Sequence, residues 1–126
     1  GLWDLGAFLA ASLIAPVAYI QDRLGYFRAG GEGHSGQMMG PHMKAAHIGY
    51  AAIALGGQRI GRLAPDQAQR CYGGIANAVA QRYATQEDMR IFVAPLQAMA
   101  AGLSAGEAAE PVFLEAWNAF LATHGF

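Results

Sequence analysis

Charged side chains are scarce in this chain of 126 residues. Only 13% of the residues are Asp, Glu, Lys or Arg, whereas an average soluble domain has about 25%. The eight basic and nine acidic residues nearly cancel, and the basic residues form no run or patch. A nucleic-acid-binding protein needs a cluster of positive charge to meet the phosphates. We therefore expect no nucleic-acid partner.

Cysteine is also nearly absent. The single Cys71 cannot form an internal disulfide, so the sequence indicates no oxidising compartment, and a cytoplasmic location is the simplest expectation. Its position on the apolar face of a predicted helix is typical of a packed, unreactive thiol. Glu32, His34 and Ser35 are the one acid, imidazole and hydroxyl group close together in sequence, and they would support acid–base chemistry if the loop folded over a pocket. Adjacency in sequence is weak evidence for this, because catalytic groups usually meet through the fold. We therefore expect a protein without catalytic activity.

The longest uncharged stretch is too short to cross a membrane. It runs from about residue 5 to residue 20, is interrupted by Pro16, and is bounded by Asp4 and Asp22. A transmembrane helix needs about 20 apolar residues, so we expect no transmembrane span. The stretch also lacks the basic leading region of a signal peptide. It is interpreted as a buried or partner-facing helix, with contact to a membrane surface as the weaker alternative.

Alternating apolar and polar residues, which strands require, are almost missing, while helical spacing recurs along the chain. We predict an all-α fold: a compact single domain over residues 1–126, with about five helices around an apolar N-terminal helix. The first helix is predicted from about Trp3 to Asp22, because a central helix is apolar on nearly every side. Pro16 is predicted to kink it. A Gly-rich loop is predicted at residues 29–40.

Prolines and glycines place the next two helices. Pro41 suits the first position of the second helix, because its missing N–H would be unpaired there anyway. This helix is predicted to end at Gly56 and Gly57. Pro65 and Asp66 begin the third helix. Its predicted inward face consists of Ala68, Cys71, Tyr72, Ile75, Ala78 and Val79.

Side-chain caps place the last two helices. Thr85 is predicted to cap the fourth helix, and Pro95 is predicted to bend or split it. Ser104 and Glu107 form a capping box for the last helix, and Pro111 is the alternative start of its longer part. The last helix is predicted to present Phe113, Ala116, Trp117, Phe120 and Leu121.

Three of the four histidines and three of the five methionines lie within residues 34–47. Imidazole nitrogen and thioether sulfur together suit Cu(I) better than a hard, oxygen-seeking cation. If the second helix begins a few residues early, Met39, Met43 and His47 share one face at spacings of four. His34 can then fold back onto them from the loop. The predicted metal ligands are His34, Met39, Met43 and His47.

Two other interpretations of this segment stay open. Met43 and His47 can belong to the core face of the second helix together with Tyr50 and Ala54, since methionine commonly fills irregular gaps in a core. Alternatively, a bound tetrapyrrole would use His47 as its axial ligand, with Met43 and Tyr50 in the pocket. Covalent haem attachment is not expected, because the sequence has no Cys-x-x-Cys-His motif. Copper is favoured over haem as a cofactor.

Apolar residues make up 54% of the chain before its 17 glycines are counted. An excess of apolar side chains on a surface drives association, and the net charge of −1 gives little repulsion between copies. We predict a non-catalytic helical interaction module, or a small subunit of a homo- or hetero-oligomeric assembly. The partner would pack on the first helix, or on a C-terminal surface of Trp117, Phe120 and Phe126. A copper- or tetrapyrrole-binding helical protein is the alternative.

Overall fold

The computed structural model describes residues 2–16 and 40–126, and this part of the chain contains helices and turns but no β-strand. The elements are α1 (Leu2–Ser12), α2 (Pro41–Arg59), α3 (Pro65–Arg82), the single turn α4 (Glu87–Arg90), α5 (Val93–Ala101) and α6 (Leu103–His124). The predicted all-α fold with about five helices is confirmed. None of these helices combines the length and the hydropathy that a membrane crossing requires.

Two sequence predictions lie outside the described residues. They are the part of the first helix beyond residue 16 and nearly all of the Gly-rich loop at residues 29–40. The described portion of the first helix ends at Ser12, ahead of the predicted kink.

Helix α2 begins at the predicted proline but continues beyond its predicted end. Gly56 and Gly57 lie within the helix, so the predicted end is wrong, and the left-handed residue that follows the helix is Gly61, with φ 70°. The N–H of Arg62 donates to the carbonyl oxygen of Gly57 at 2.9 Å, and the N–H of Gly61 donates to that of Gln58 at 3.0 Å. This pair of hydrogen bonds is a Schellman motif, which closes the helix end.

The predicted inward face of α3 is only partly correct. Ala68, Tyr72 and Val79 are buried, whereas Cys71 is exposed. The prediction of a packed thiol is therefore wrong. Ala78 is exposed as well, so the buried stripe of α3 is narrower than the sequence pattern indicates.

The predicted fourth helix is split, as its proline suggested. The turn α4 ends at Arg90 and α5 begins at Val93. Pro95 therefore lies in the first turn of α5, where its missing N–H removes no helical hydrogen bond. The predicted cap is displaced by one position, because Gln86 rather than Thr85 is the N-cap residue of α4.

The predicted capping box of Ser104 and Glu107 is wrong. Helix α6 begins at Leu103, so Ser104 already lies in its first turn. Gly102 is both the residue that ends α5 and the N-cap of α6, with φ 92° and ψ 175°. The two helices therefore meet at one residue, with no loop in which a serine can cap. Pro111 lies inside α6 rather than at its start.

The core lies where α2, α3, α5 and α6 meet. Helix α5 packs against α3 and α6, and α2 packs against α3 and α6. Phe92, just before α5, contacts Phe113 and Phe120 of α6 edge to face, at ring-centroid distances of 6.2 and 6.0 Å. The largest fully buried side chains are Tyr83, Phe92, Phe113, Ile48, Met89, Leu96 and Val79.

Helix α1 packs on the outside of α2. Two glycines lie at the contact: a Cβ on Gly6 would lie at an ordinary contact distance of 3.8 Å from Cδ1 of Ile53, and a Cβ on Gly57 would lie 2.8 Å from Cδ1 of Leu13. The second distance is shorter than real Cβ contacts, so a side chain at position 57 would displace the Leu13 methyl group. Leu13 thus anchors the end of α1 on α2.

The N-terminal helix is predicted at the centre of the bundle, but its described part lies at the periphery. No described side chain of α1 belongs to the buried core. Phe8, Leu9 and Ile14 are 61%, 41% and 70% exposed. The centre is instead occupied by Phe92 and its aromatic neighbours, because the shorter, tightly joined α5 and α6 bring those rings together.

Candidate functional site

Met43 and His47 lie one turn apart on α2, and both are partly exposed. The Nδ1 atom of His47 lies 2.8 Å from the carbonyl oxygen of Met43 and 3.0 Å from the hydroxyl of Tyr83. Its Nε2 atom lies 3.4 Å from a guanidinium nitrogen of Arg82. A guanidinium only donates, so Nε2 is the accepting nitrogen and Nδ1–H donates to the Met43 carbonyl.

His47 is thus tied by hydrogen bonds to its own helix and to the end of α3, but it is partly exposed and does not belong to the buried core. A metal would need the unprotonated Nε2, and that atom faces the positive charge of Arg82, which repels a cation. The Nδ1–H bond to a carbonyl is nonetheless the contact that commonly orients a metal-binding histidine. The geometry around His47 therefore suits a structural role better than a ligand role.

The structure brings two of the four predicted metal ligands together. Met43 and His47 share a face of α2, whereas His34 and Met39 lie outside the described residues. In the described ranges, no three or more His, Cys, Asp or Glu residues are grouped so that they can hold a metal ion. The Cu(I) site and the tetrapyrrole pocket both stay predictions.

The copper interpretation predicts about one Cu(I) bound per chain, and loss of this binding when Met43→Leu and His47→Leu are combined, since both proposed ligand atoms are removed. Anaerobic competition with a colorimetric Cu(I) chelator measures the stoichiometry and affinity. His42→Leu is the matched control, because it removes the neighbouring imidazole that is not a predicted ligand. Unchanged binding by the double variant would exclude Met43 and His47 as ligands.

A second polar cluster links α2, α4 and α6. Nζ of Lys44 lies 2.7 Å from Oδ2 of Asp88, and Nε2 of His124 lies 3.8 Å from the same oxygen. The Lys44 side chain is only 12% exposed, and a largely buried ammonium requires such a partner. The cluster is therefore explained as a structural contact that holds α2, α4 and α6 together.

A cavity of about 130 Å³ lies between α2, α3 and the junction of α5 with α6. We call it the α5–α6 cavity. No local pattern in the sequence predicts this cavity. Its apolar lining residues are Leu55, Pro65 and Met99, and its polar lining residues are Gln58, Gln69, Tyr72, Glu107 and Glu110.

Tyr72 is the most buried polar residue of the α5–α6 cavity, at 2% exposure. Its hydroxyl donates to Oε1 of Gln58 at 2.8 Å. Burial, and to a smaller extent the charge of Glu110, raise the pKa of Tyr72 to about 12. The phenol is therefore a neutral hydrogen-bond donor at physiological pH, and the charges of Glu110 and Arg59 act on its pKa in opposite directions. Glu110 itself is paired with Arg59 of α2.

Two glycines, Gly102 and Gly106, also line the α5–α6 cavity. A Cβ on Gly102 would lie 3.0 Å from Nε2 of Gln69, and a Cβ on Gly106 would lie 3.4 Å from Cα of Met99. Both distances are tighter than most real Cβ contacts, so side chains at these positions would press into their neighbours. The amide of Gln69 thus lies directly against the α5–α6 junction.

No protein-family model matches the chain, and comparisons with curated proteins and with solved structures give no match. What the chain does must therefore be inferred from its own residues. Two features stand out from the structure: the exposed apolar side chains of the N-terminal segment and the α5–α6 cavity.

Proposed function

We propose that this chain is a non-catalytic helical interaction module that associates with a second copy of itself through the α1 surface, defined as Phe8, Leu9 and Ile14. The observation that carries the proposal is the exposure of these three large apolar side chains, at 61%, 41% and 70%. Phe8 and Leu9 lie on α1, which packs on α2, and Ile14 lies in the turn directly after α1.

Burial of such side chains is the driving force for association. Fully burying one large apolar side chain contributes roughly 1.5–3 kcal/mol, and apolar surface grouped in one place is typical of an interaction site. The contacts of Gly6 with Ile53 and of Leu13 with Gly57 dock the segment on α2. The α1 surface is therefore presented by a segment that is docked on α2, which lowers the cost of ordering it on association.

A second copy is the partner that this surface suits best. Asp4 is the only charged residue in positions 2–16, so two α1 surfaces can meet with little charge repulsion. The net charge of −1 for the whole chain also opposes association weakly. An apolar surface is complementary to itself, and two-fold dimers are the commonest oligomers.

The C-terminal surface predicted from the sequence is less suited to this role. Phe120 is 5% exposed, and Trp117 stacks on it at a ring-centroid distance of 6.1 Å. Phe126 is 44% exposed and contacts the ring of His42 edge to face. The aromatic groups of this end are thus largely used within the chain, which favours the α1 surface.

Ile14→Glu is expected to weaken self-association at least about tenfold, because a charge is placed where an apolar side chain would be buried. Sedimentation velocity across a range of micromolar concentrations measures the effect. Ile60→Glu is the matched control, since Ile60 is similarly exposed, at 65%, but lies after α2. We expect Ile60→Glu to sediment as the unaltered chain does.

Two outcomes would contradict the proposal. If the unaltered chain is a monomer at these concentrations and takes up no hydrophobic dye, it has no apolar surface that drives association. If Ile60→Glu dissociates the oligomer as strongly as Ile14→Glu does, the contact does not lie on the α1 surface.

A further inference from the structure

Helix α1 lies outside the core that holds the other helices together. It packs on α2, but none of its described side chains belongs to the buried core, whose residues all lie from position 45 onward. Parts of a protein with few buried apolar contacts open at a lower free energy than the core does. We therefore expect α1 to leave α2 more readily than the core opens.

Helix α1 is also too short to be stable without α2. It has 11 residues, and isolated helices shorter than about 12–15 residues are marginal in water. Gly6 lies inside α1 and lowers its helix propensity further. The side chains of the α1 surface keep their relative positions only while this helix and the turn after it are formed. The α1 surface therefore exists as a surface only in copies in which α1 is docked on α2.

Leu13 anchors the end of α1 against Gly57 of α2. Both methyl carbons of Leu13 lie close to the position that a Cβ on Gly57 would take, at 2.8 and 3.2 Å. Gly57 is buried, so the leucine side chain packs against the bare backbone of α2 at this point. Gly56 is exposed, and a Cβ there would meet nothing within 4 Å. Only one of these two neighbouring glycines is therefore part of the contact with α1.

We propose that a copy of this chain self-associates only while its α1 is docked on α2, and that the contact of Leu13 with Gly57 controls this docking. This regulation rests on the proposed self-association through the α1 surface. Because both copies of a dimer must have α1 docked, the apparent dissociation constant rises with the inverse square of the docked fraction. A fall of this fraction from near one to about one third would weaken association about tenfold. Association must in turn favour docking, since the two equilibria are linked.

Gly57→Gln tests the proposal, because the new side chain takes the space of the Leu13 methyl groups and leaves the residues of the α1 surface unchanged. Gly56→Gln is the matched control. It makes the same exchange one position earlier in α2, where the side chain points to open space, and both variants gain the same helix propensity. In sedimentation velocity, we expect Gly57→Gln to weaken self-association at least about tenfold and Gly56→Gln to change it by less than about twofold.

Hydrogen exchange of the ¹⁵N-labelled chain measures docking separately, at a concentration low enough for the chain to be monomeric. The backbone N–H groups of Leu13 and Ala15 donate to carbonyl oxygens of α1, so their exchange reports whether this segment is ordered. We expect Gly57→Gln to speed the exchange of these two amides at least about fivefold. The amide signal of Leu96, which is 0% exposed in the core, should keep its position.

Three results would overturn the proposal. If Gly57→Gln speeds exchange in α1 but associates as strongly as Gly56→Gln does, docking is not required, and self-association itself stands. If Gly57→Gln leaves exchange in α1 unchanged, the contact with Leu13 does not control docking. If the unaltered chain is monomeric at every concentration, the proposed function fails as well. Leu13→Ala removes the anchor from the other side of the contact and should reproduce both effects of Gly57→Gln, so the test holds even if that variant does not fold.

Discussion

Phe92→Ala is expected to lower the free energy of unfolding by about 3–5 kcal/mol. Phe92 is 0% exposed, and its ring contacts both Phe113 and Phe120. The substitution removes its apolar area and leaves a cavity that the surrounding helices would have to collapse to fill. Domains of this size have a total stability of about 5–15 kcal/mol, so the variant should be marginally folded.

Urea unfolding followed by circular dichroism measures this loss at one fixed protein concentration, because self-association adds to apparent stability. With a slope of roughly 1–3 kcal/mol per molar urea, the midpoint should fall by at least about 1 M. Phe126→Ala is the matched control. It removes the same side chain from a position 44% exposed and should cost about 1 kcal/mol or less. Equal losses would mean that Phe92 is not central to the core.

Gly102→Ala is expected to cost about 1–3 kcal/mol, for a reason that concerns the backbone rather than the core. Gly102 has φ 92° and ψ 175°, a region that residues with a Cβ avoid. The new Cβ would also lie 3.0 Å from Nε2 of Gln69. The variant must strain the junction or shift α6, and either change disturbs the α5–α6 cavity.

Gly56→Ala is the control, and it is expected to change the free energy of unfolding in the opposite direction. Gly56 lies inside α2, is exposed, and a Cβ there would meet nothing within 4 Å. Alanine in a helix interior is favoured over glycine by roughly 0.5–1 kcal/mol, so this variant should be more stable than the unaltered chain. Thermal or urea unfolding of both variants gives the comparison. Stabilisation by Gly102→Ala as well would show that the junction does not require glycine.

The helices of this chain follow from local sequence, and several of their ends do not. Pro41 and Pro65 mark helix starts because proline fits the first turn only. The prediction that Ser104 caps α6 is wrong because Gly102 directly precedes this helix and leaves no loop before it. The sequence shows that a glycine is present there, but it does not show that this glycine has a positive φ. The prediction that α2 ends at Gly56 and Gly57 is wrong because both glycines adopt the ordinary helical conformation.

The two candidate sites differ in how far the sequence reveals them. Met43 and His47 are one turn apart, so their shared face on α2 is predictable from spacing alone. The partners that give His47 its role, Tyr83 and Arg82, come from the end of α3, and no local pattern connects them with α2. The α5–α6 cavity is further removed, because its lining residues meet only when α2, α3, α5 and α6 pack.

The junction at Gly102 also determines where this chain can change in length. One inserted residue would rotate α6 by about 100° and advance it by about 1.5 Å, which would turn Phe113 and Phe120 away from Phe92. Loops usually absorb insertions and deletions, and residues 60–64 between α2 and α3 offer such a loop. Between α5 and α6 there is none. Insertions and deletions can therefore change the length of the connection between α2 and α3. The connection between α5 and α6 must keep its length if the fold is to be retained.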